Sequence, residues 1–226
     1  MLKTQHFSNF SLHHHRRWIW LCVIAYTFIA SLVITSTDSF KVAAIFFIIF
    51  CGFALFTYWL MLKSVVSYTF SAMHIQQRFF RGGWVLKWSN IIAIEQCMYD
   101  IEGWQRPLPW IGLKLKEPSL LLSTISPRII SDILLSQRAL LYIAMKKANA
   151  INKFEESVLD TTPYLAANGD KFVGLQAMLA NRMRYQRQYA GYDLFISTSD
   201  LGMPAEDFIG QARRYLAAAE PDEKSI

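Results

Sequence analysis

Charge is missing from two stretches near the start of this 226-residue chain. Trp18 to Ser36 carries no Asp, Glu, Lys or Arg over 19 residues, and Val42 to Leu62 carries none over 21. A helix rises about 1.5 Å per residue, so each stretch matches the roughly 30 Å hydrocarbon core of a bilayer. Histidine is absent from both as well, which argues against an ion or proton path through them alone. Cysteine is scarce. Cys22 and Cys51 lie inside the stretches and Cys97 beyond them, with no zinc-ligand spacing and no disulfide framework. Each is expected to be a small buried apolar residue. Catalytic signatures are lacking too: there is no G-x-S-x-G, H-E-x-x-H, P-loop or dinucleotide fingerprint. Gly82-Gly83 lacks the rest of a phosphate cradle. The expectation is no enzyme, no catalytic residues, no metal and no cofactor.

What is present is a membrane pattern with a large remainder. The apolar fraction is 53%, and the two stretches supply much of it. The net charge of +6 is uneven: residues 1–118 hold 11 Lys+Arg against 5 Asp+Glu, whereas residues 119–226 hold 12 of each. Basic excess beside the apolar stretches suits a lipid headgroup layer, and suits nucleic acid less well. Lys3, Arg16 and Arg17 precede the first stretch, with His13, His14 and His15 beside them. Lys63, Arg78 and Arg81 follow the second, and residues 37–41 between the stretches carry one acid and one lysine. Retention of Lys and Arg on the cytoplasmic side predicts a hairpin in a bacterial inner membrane with both termini cytoplasmic. Trp18, Trp20, Tyr58 and Trp59 fall at the same cytoplasmic interface, where amphipathic rings are enriched. A signal peptide is the competing reading of the first stretch, but the stretch is too long and a second follows directly.

The chain therefore divides into an N-terminal segment (1–17), a transmembrane hairpin (18–36 and 42–62), a cytoplasmic domain (63–220) and a tail (221–226). The domain begins with period-two runs. Val66, Tyr68 and Phe70 alternate with polar residues, and His74 to Phe80 follows. Arg81-Gly82-Gly83 is expected to turn the chain, and Trp84 to Trp88 and Ile91 to Met98 continue the pattern. Asp100 to Trp110 is expected to be loop, Ile111 to Leu115 a strand, and Leu120 to Thr124 another, giving an antiparallel meander. Ser126-Pro127 marks a helix start, with a break near Ser136. Phe154 to Gly169 is expected to be loop. Asp170 is expected to cap a helix to about Tyr189, which Gly191 ends. Tyr192 to Ser197 is a strand. Pro204 opens a last helix, with Glu206 and Asp207 at its start and Phe208, Ala212, Tyr215 and Leu216 on its apolar face.

Tyr68-Thr69-Phe70, Ile75, Arg78, the glycines and Trp84-Val85-Leu86-Lys87-Trp88-Ser89-Asn90-Ile91 resemble the bacterial pleckstrin-homology-like membrane proteins. Tyr192-Asp193-Leu194-Phe195-Ile196 and the closing helix resemble the end of that fold. The resemblance implies an α+β architecture: a two-helix transmembrane hairpin, then a PH-like antiparallel β-sandwich or barrel with a C-terminal capping helix. Residues 127–190 depart from the minimal fold, as a helical insertion or as a separate helical domain. The loop Ala72-Met73-His74 has no basic cluster, so no inositide pocket carries over. Arg78 and Arg81 can contact anionic headgroups or be solvated strand-end charges.

Other residues point to structure. Consecutive histidines at 13–15 do not share a helix face. His74 stands alone. Arg182, Arg184 and Arg187 scatter around a helix and are expected to be a solvated face. The acid pairs Glu155-Glu156 and Glu206-Asp207 do not form a catalytic constellation. The membrane-interface residues expected from sequence are Trp18, Trp20, Tyr58, Trp59, Lys63, Arg78 and Arg81. The expected function is a membrane-anchored, non-enzymatic binding or scaffold module, whose partners are the lipid bilayer and a protein or a second copy. The alternative is an accessory subunit of an inner-membrane transporter or envelope complex, with small residues Ala43, Ala44, Gly52 and Ala54 allowing close helix contact.

Overall fold

The computed structural model describes residues 3–9, 16–36, 39–101 and 104–219, and of residues 16–19, 100 and 101 the backbone alone. The chain forms two compact units, one of residues 10–65 and one of residues 1–9 with 66–226. The structure is α+β with antiparallel sheets.

The first element, β1 (Gln5–Ser8), belongs to the larger unit. Of the expected N-terminal segment, Gln5–Ser8 thus joins the first sheet. Helices α1 (Arg16–Thr35) and α2 (Phe40–Ser64) make up the smaller unit. They meet through Tyr26, whose hydroxyl donates to the carbonyl of Phe50 and whose ring lies 5.4 Å from that of Phe50. No residue of α2 is buried, and Cys22 and Cys51 are exposed, contrary to expectation. A helix that is apolar on every side is stable only where something apolar surrounds it. Among the described residues α2 is the one helix long and apolar enough to cross a bilayer, and the apolar stretch of α1, Trp20–Thr35, is shorter.

In the larger unit β1 pairs with β2 (Ser67–Phe70), β2 with β3 (His74–Phe79) and β3 with β4 (Gly82–Lys87), all antiparallel. Two hydrogen bonds close the gap in sequence between β1 and β2: Asn9 N–H donates to the carbonyl of Val66 (3.1 Å) and Val66 N–H to Asn9 Oδ1 (3.0 Å). The turn between β3 and β4 is Phe80-Arg81, and the glycines open β4 instead of turning the chain. A Cβ on Gly83 would lie 2.0 Å from the carbonyl oxygen of Gln77, so close strand approach is what requires glycine there.

A second sheet holds β5 (Ile91–Ile101), β6 (Trp104–Leu115) and a late strand, β9 (Leu194–Ser197). Most of the expected 100–110 loop is thus strand. Pro107 and Pro109 survive in β6 because β9 pairs only with Trp110–Leu113, leaving the prolines on an open edge where no ladder donor is needed. Between β6 and β9 lie α3 (Pro118–Leu122), α4 (Pro127–Ser136), α5 (Arg138–Lys147), α6 (Phe154–Val158), the small hairpin β7 (Tyr164–Leu165) and β8 (Lys171–Phe172), and α7 (Leu175–Ala190). Residues 120–124, expected as a strand, fall largely in α3, where Pro118 takes the first helical turn and Leu121 and Leu122 are buried. Asp170 caps no helix; its backbone N–H binds Asn168 in the β7–β8 turn, and α7 begins after Gly174. The break between α4 and α5 and the left-handed Gly191 ending α7 follow the sequence reading.

One core joins both sheets, the intervening helices and the final helix α8 (Ala205–Ala217). Ile129, Ile130 and Met183 share it with Trp84 and Leu194, so the helices between β6 and β9 pack into the same core as the sheets. Its aromatic centre is Phe208 of α8, with ring centroids 5.0 Å from Phe70, 5.3 Å from Tyr68 and 6.3 Å from Phe7. Tyr215 stacks on Trp88 at 5.7 Å. Burying each such ring contributes roughly 1.5–3 kcal/mol, so α8 stabilises the sheet it covers.

A basic rim at one end of the first sheet

Strand register decides which side chains share an end. Ser8 faces Ser67, Ser67 faces Arg78, and Arg78 faces Gly83. The end of the sheet where the chain departs at Asn9 and returns at Val66 is therefore also the end carrying Arg78 and the Phe80-Arg81 turn. Arg78 and Arg81 are exposed, and so is Phe80 at 53%. A Cβ on Gly82 would lie 3.5 Å from Ile129 Cδ1, which brings the start of α4, with exposed Arg128, to this rim. Gly202 comes within contact of the Ser8 carbonyl and Asn9. The rim thus presents three arginines around one outward phenylalanine. Phe80 and Arg128 carry no sequence signal: an aromatic at a strand end and an arginine after a helix-starting proline are ordinary in a soluble surface.

Exposed Asp132 lies one helical turn beyond Arg128 on α4, and Asp200 lies in the turn after β9. Burial pushes its carboxyl above the ordinary range, opposed by the Ser199 hydroxyl. It also helps raise the hydroxyl of buried Tyr68, which accepts from Gln77 Nε2.

The remaining expected interface residues lie in the smaller unit. Trp20, Tyr58 and Trp59 are exposed, and Lys63 Nζ sits 3.3 Å above the Trp59 ring, a cation–π contact. Trp18 is a position on α1 whose side chain lies outside the described residues, as do His13, His14 and His15. His74 is structural: its Nδ1 lies 2.9 Å from Ser71 Oγ. Cys97 is buried, and burial pushes its thiol up to about 12.

The α7 arginines part company. Arg182 is 1% exposed rather than solvated. It donates to the carbonyls of Val158 (3.0 Å) and Leu134 (3.5 Å), tying the last turns of α6 and α4 to α7. Burial, with Arg138 nearby, lowers its pKa to about 10. Arg184 faces outward, and Arg187 is half-buried with its Nη2 donating to the Leu115 carbonyl. Each pairs with an acid, Asp160 at 3.4 Å for Arg184 and Asp193 for Arg187. Among the described residues no group of three or more His, Cys, Asp or Glu is placed to hold a metal ion.

Residues 68–218, from β2 through α8, match the family model described as "Protein of unknown function (DUF2982)". No curated protein and no solved structure matches the chain.

Proposed function

We propose that this chain, which belongs to the DUF2982 family, is a membrane-anchored binding module whose pleckstrin-homology-like domain meets the anionic inner leaflet through the rim of Arg78, Phe80, Arg81 and Arg128. The observation that carries the proposal is the pairing of β1 with β2. These strands flank the apolar segment and lie side by side in one sheet. A single crossing by α2 would put them on opposite faces of the bilayer, where they could not bond. If α2 crosses, the chain must cross twice, and α1 is the second helix. Basic flanks on both sides of the segment then orient both termini to the cytoplasm.

Four strands in one sheet, three in a second and a C-terminal helix over the aromatic centre support the fold reading. The rim supports the leaflet reading, since the chain enters and leaves the anchor at that end of the sheet. Each arginine near a charged leaflet contributes about 1 kcal/mol, and Phe80 can bury its ring among headgroups. Hydrogen exchange of the full chain in lipid nanodiscs tests this. Anionic lipid should protect residues 79–83 more than zwitterionic lipid does, and R78Q/R81Q/R128Q should abolish the difference. Equal exchange in both lipids would end the leaflet reading.

A second reading, an accessory subunit of a membrane transporter or envelope complex, draws on α2. A Cβ on Gly52 would meet nothing within 4 Å and no residue of the helix is buried, which leaves a surface for a partner helix. Co-purification in mild detergent of an integral protein that persists after removal of residues 66–226 would favour it.

A further inference from the structure

The helical region that links β6 to β9 holds a cleft of about 300 Å³ between the end of β6, the start of α3, β7 and α7. That volume is at the small end for a ligand site. Its walls are rich in donors. Lys116, Arg184 and Arg187 supply cations, and Ser119, Tyr164 and Asn168 add neutral polar groups. Formal charge is nearly balanced, because Asp193 and Glu117 also line it. Placement breaks the balance. Arg187 keeps 36% of its side chain exposed while its partner Asp193 keeps 2%. Arg184 keeps 56% while its partner Asp160 keeps 12%. Both pairs set the carboxylate in the wall; the Arg184 guanidinium turns outward, while that of Arg187 is half-buried, its Nη2 donating to Asp193 and to the Leu115 carbonyl. Asp193 is further held by the N–H of Leu115 at 2.7 Å, and Asp160 by Tyr185 at 2.9 Å and the Thr162 hydroxyl at 2.6 Å. These acids are fixed in the structure. Lys116 is exposed and has no acid partner among the described residues. Glu117 is the exposed acid at the lip, its backbone held by Asn90 at 2.8 and 2.9 Å.

We propose that this cleft binds a phosphate-type oxyanion, with Lys116, Arg184 and Arg187 as its cationic ligands and Ser119 and Tyr164 as neutral donors. A tetrahedral oxyanion offers several acceptor oxygens in different directions, which matches donors arriving from β6, α3, β7 and α7. A carboxylate has two oxygens in one plane and would leave part of this set unused. The site lies in that helical region, apart in sequence and in lining residues from the rim, and does not depend on the leaflet reading. The anion can belong to a soluble phosphate ester or to a lipid headgroup.

The full chain in uncharged detergent micelles is titrated calorimetrically with inorganic phosphate, and in nanodiscs its binding to phosphatidic acid is compared with phosphatidylcholine. K116Q should weaken binding about tenfold with unchanged thermal unfolding, since Lys116 is exposed and has no acid partner among the described residues, and R184Q should weaken it about tenfold with only a small loss of stability from its exposed pair with Asp160. R187K, which keeps the charge opposite Asp193, should weaken it without unfolding the protein. R78Q/R81Q/R128Q should leave it unchanged. Saturable binding of inorganic phosphate that K116Q and R184Q weaken supports a soluble ester. Binding to phosphatidic acid alone, weakened by the same variants, supports a headgroup. No saturable binding to either probe, equal affinity in the cleft variants, or loss in the rim variant alone overturns the proposal.

Discussion

Single residues show how burial and neighbours divide groups of one chemical kind. Asp200 and Asp160 are both carboxylates in turns or loops, yet they shift in opposite directions. Burial raises Asp200, with only the Ser199 hydroxyl against it. Burial also pushes Asp160 up, but the Thr162 hydroxyl and N–H, the Tyr185 hydroxyl and Arg184 together pull it below the ordinary range. A raised carboxyl binds its proton more tightly when folded, so stability falls as pH rises from the ordinary range through the folded value. Asp160 contributes stability above the ordinary range that is lost as pH falls through its folded value. We therefore expect D200N to raise the thermal midpoint at pH values above the folded value of Asp200 and to flatten the decline that begins above the ordinary carboxyl range. An unchanged profile there would refute the assignment. Gly83 gives a second expectation. G83A must push apart β3 and β4, and should cost about 1–3 kcal/mol in denaturant unfolding. Sequence marked this glycine as special but gave the wrong reason, because a turn and a close strand approach leave the same signature. Helical angles likewise scattered Arg182, Arg184 and Arg187, and all three were expected to be solvated, because the angles could not say which face the core would take.

Elements were legible where their own residues carried the period. Residues 67–70 alternate, 74–79 and 91–98 are runs bounded by turn residues, and all three are strands; 127–136, 138–147 and 205–217 repeat at helical spacing and are helices. Three elements hid. Pro107 and Pro109 disguised the first half of β6, since a proline in a strand is acceptable only when that edge is open, and edges are set by partners. The leucines at 120–122 fit a strand or one turn of helix equally well. β1 hid most completely: Gln5-His6-Phe7-Ser8 has one large apolar residue, and its partner lies about 60 residues further along. Its hold comes from the β2 ladder and from Phe7, whose ring lies 5.1 Å from Phe70. F7A should cost about 2 kcal/mol, below the range for a fully buried ring because Phe7 is half-buried. A cost under a few tenths of that, measured by chemical unfolding, would mean that β1 is dispensable.

At the scale of the molecule, the pairing of Asn9 with Val66 makes the apolar segment an excursion from one sheet. Joining these residues through a two-residue Asn-Gly turn should convert β1–β2 into an ordinary hairpin. The resulting protein should be soluble without detergent and unfold cooperatively. Recovery only from the membrane fraction, or as aggregate, would show that the segment does more than anchor. For the intact chain, a reporter fused after Ile226 should read as cytoplasmic. The α+β character, the long apolar helices, their basic flanks and the closing helix were determined by the sequence itself, because hydropathy and helical or strand period are properties of neighbouring residues. The return of β1 to β2, the open edge that admits two prolines, the inward turn of Arg182 and the outward turn of Arg184 were decided only by the tertiary structure. Each depends on which distant surface covers a residue, and covering removes water and fixes charge in ways that no local pattern records.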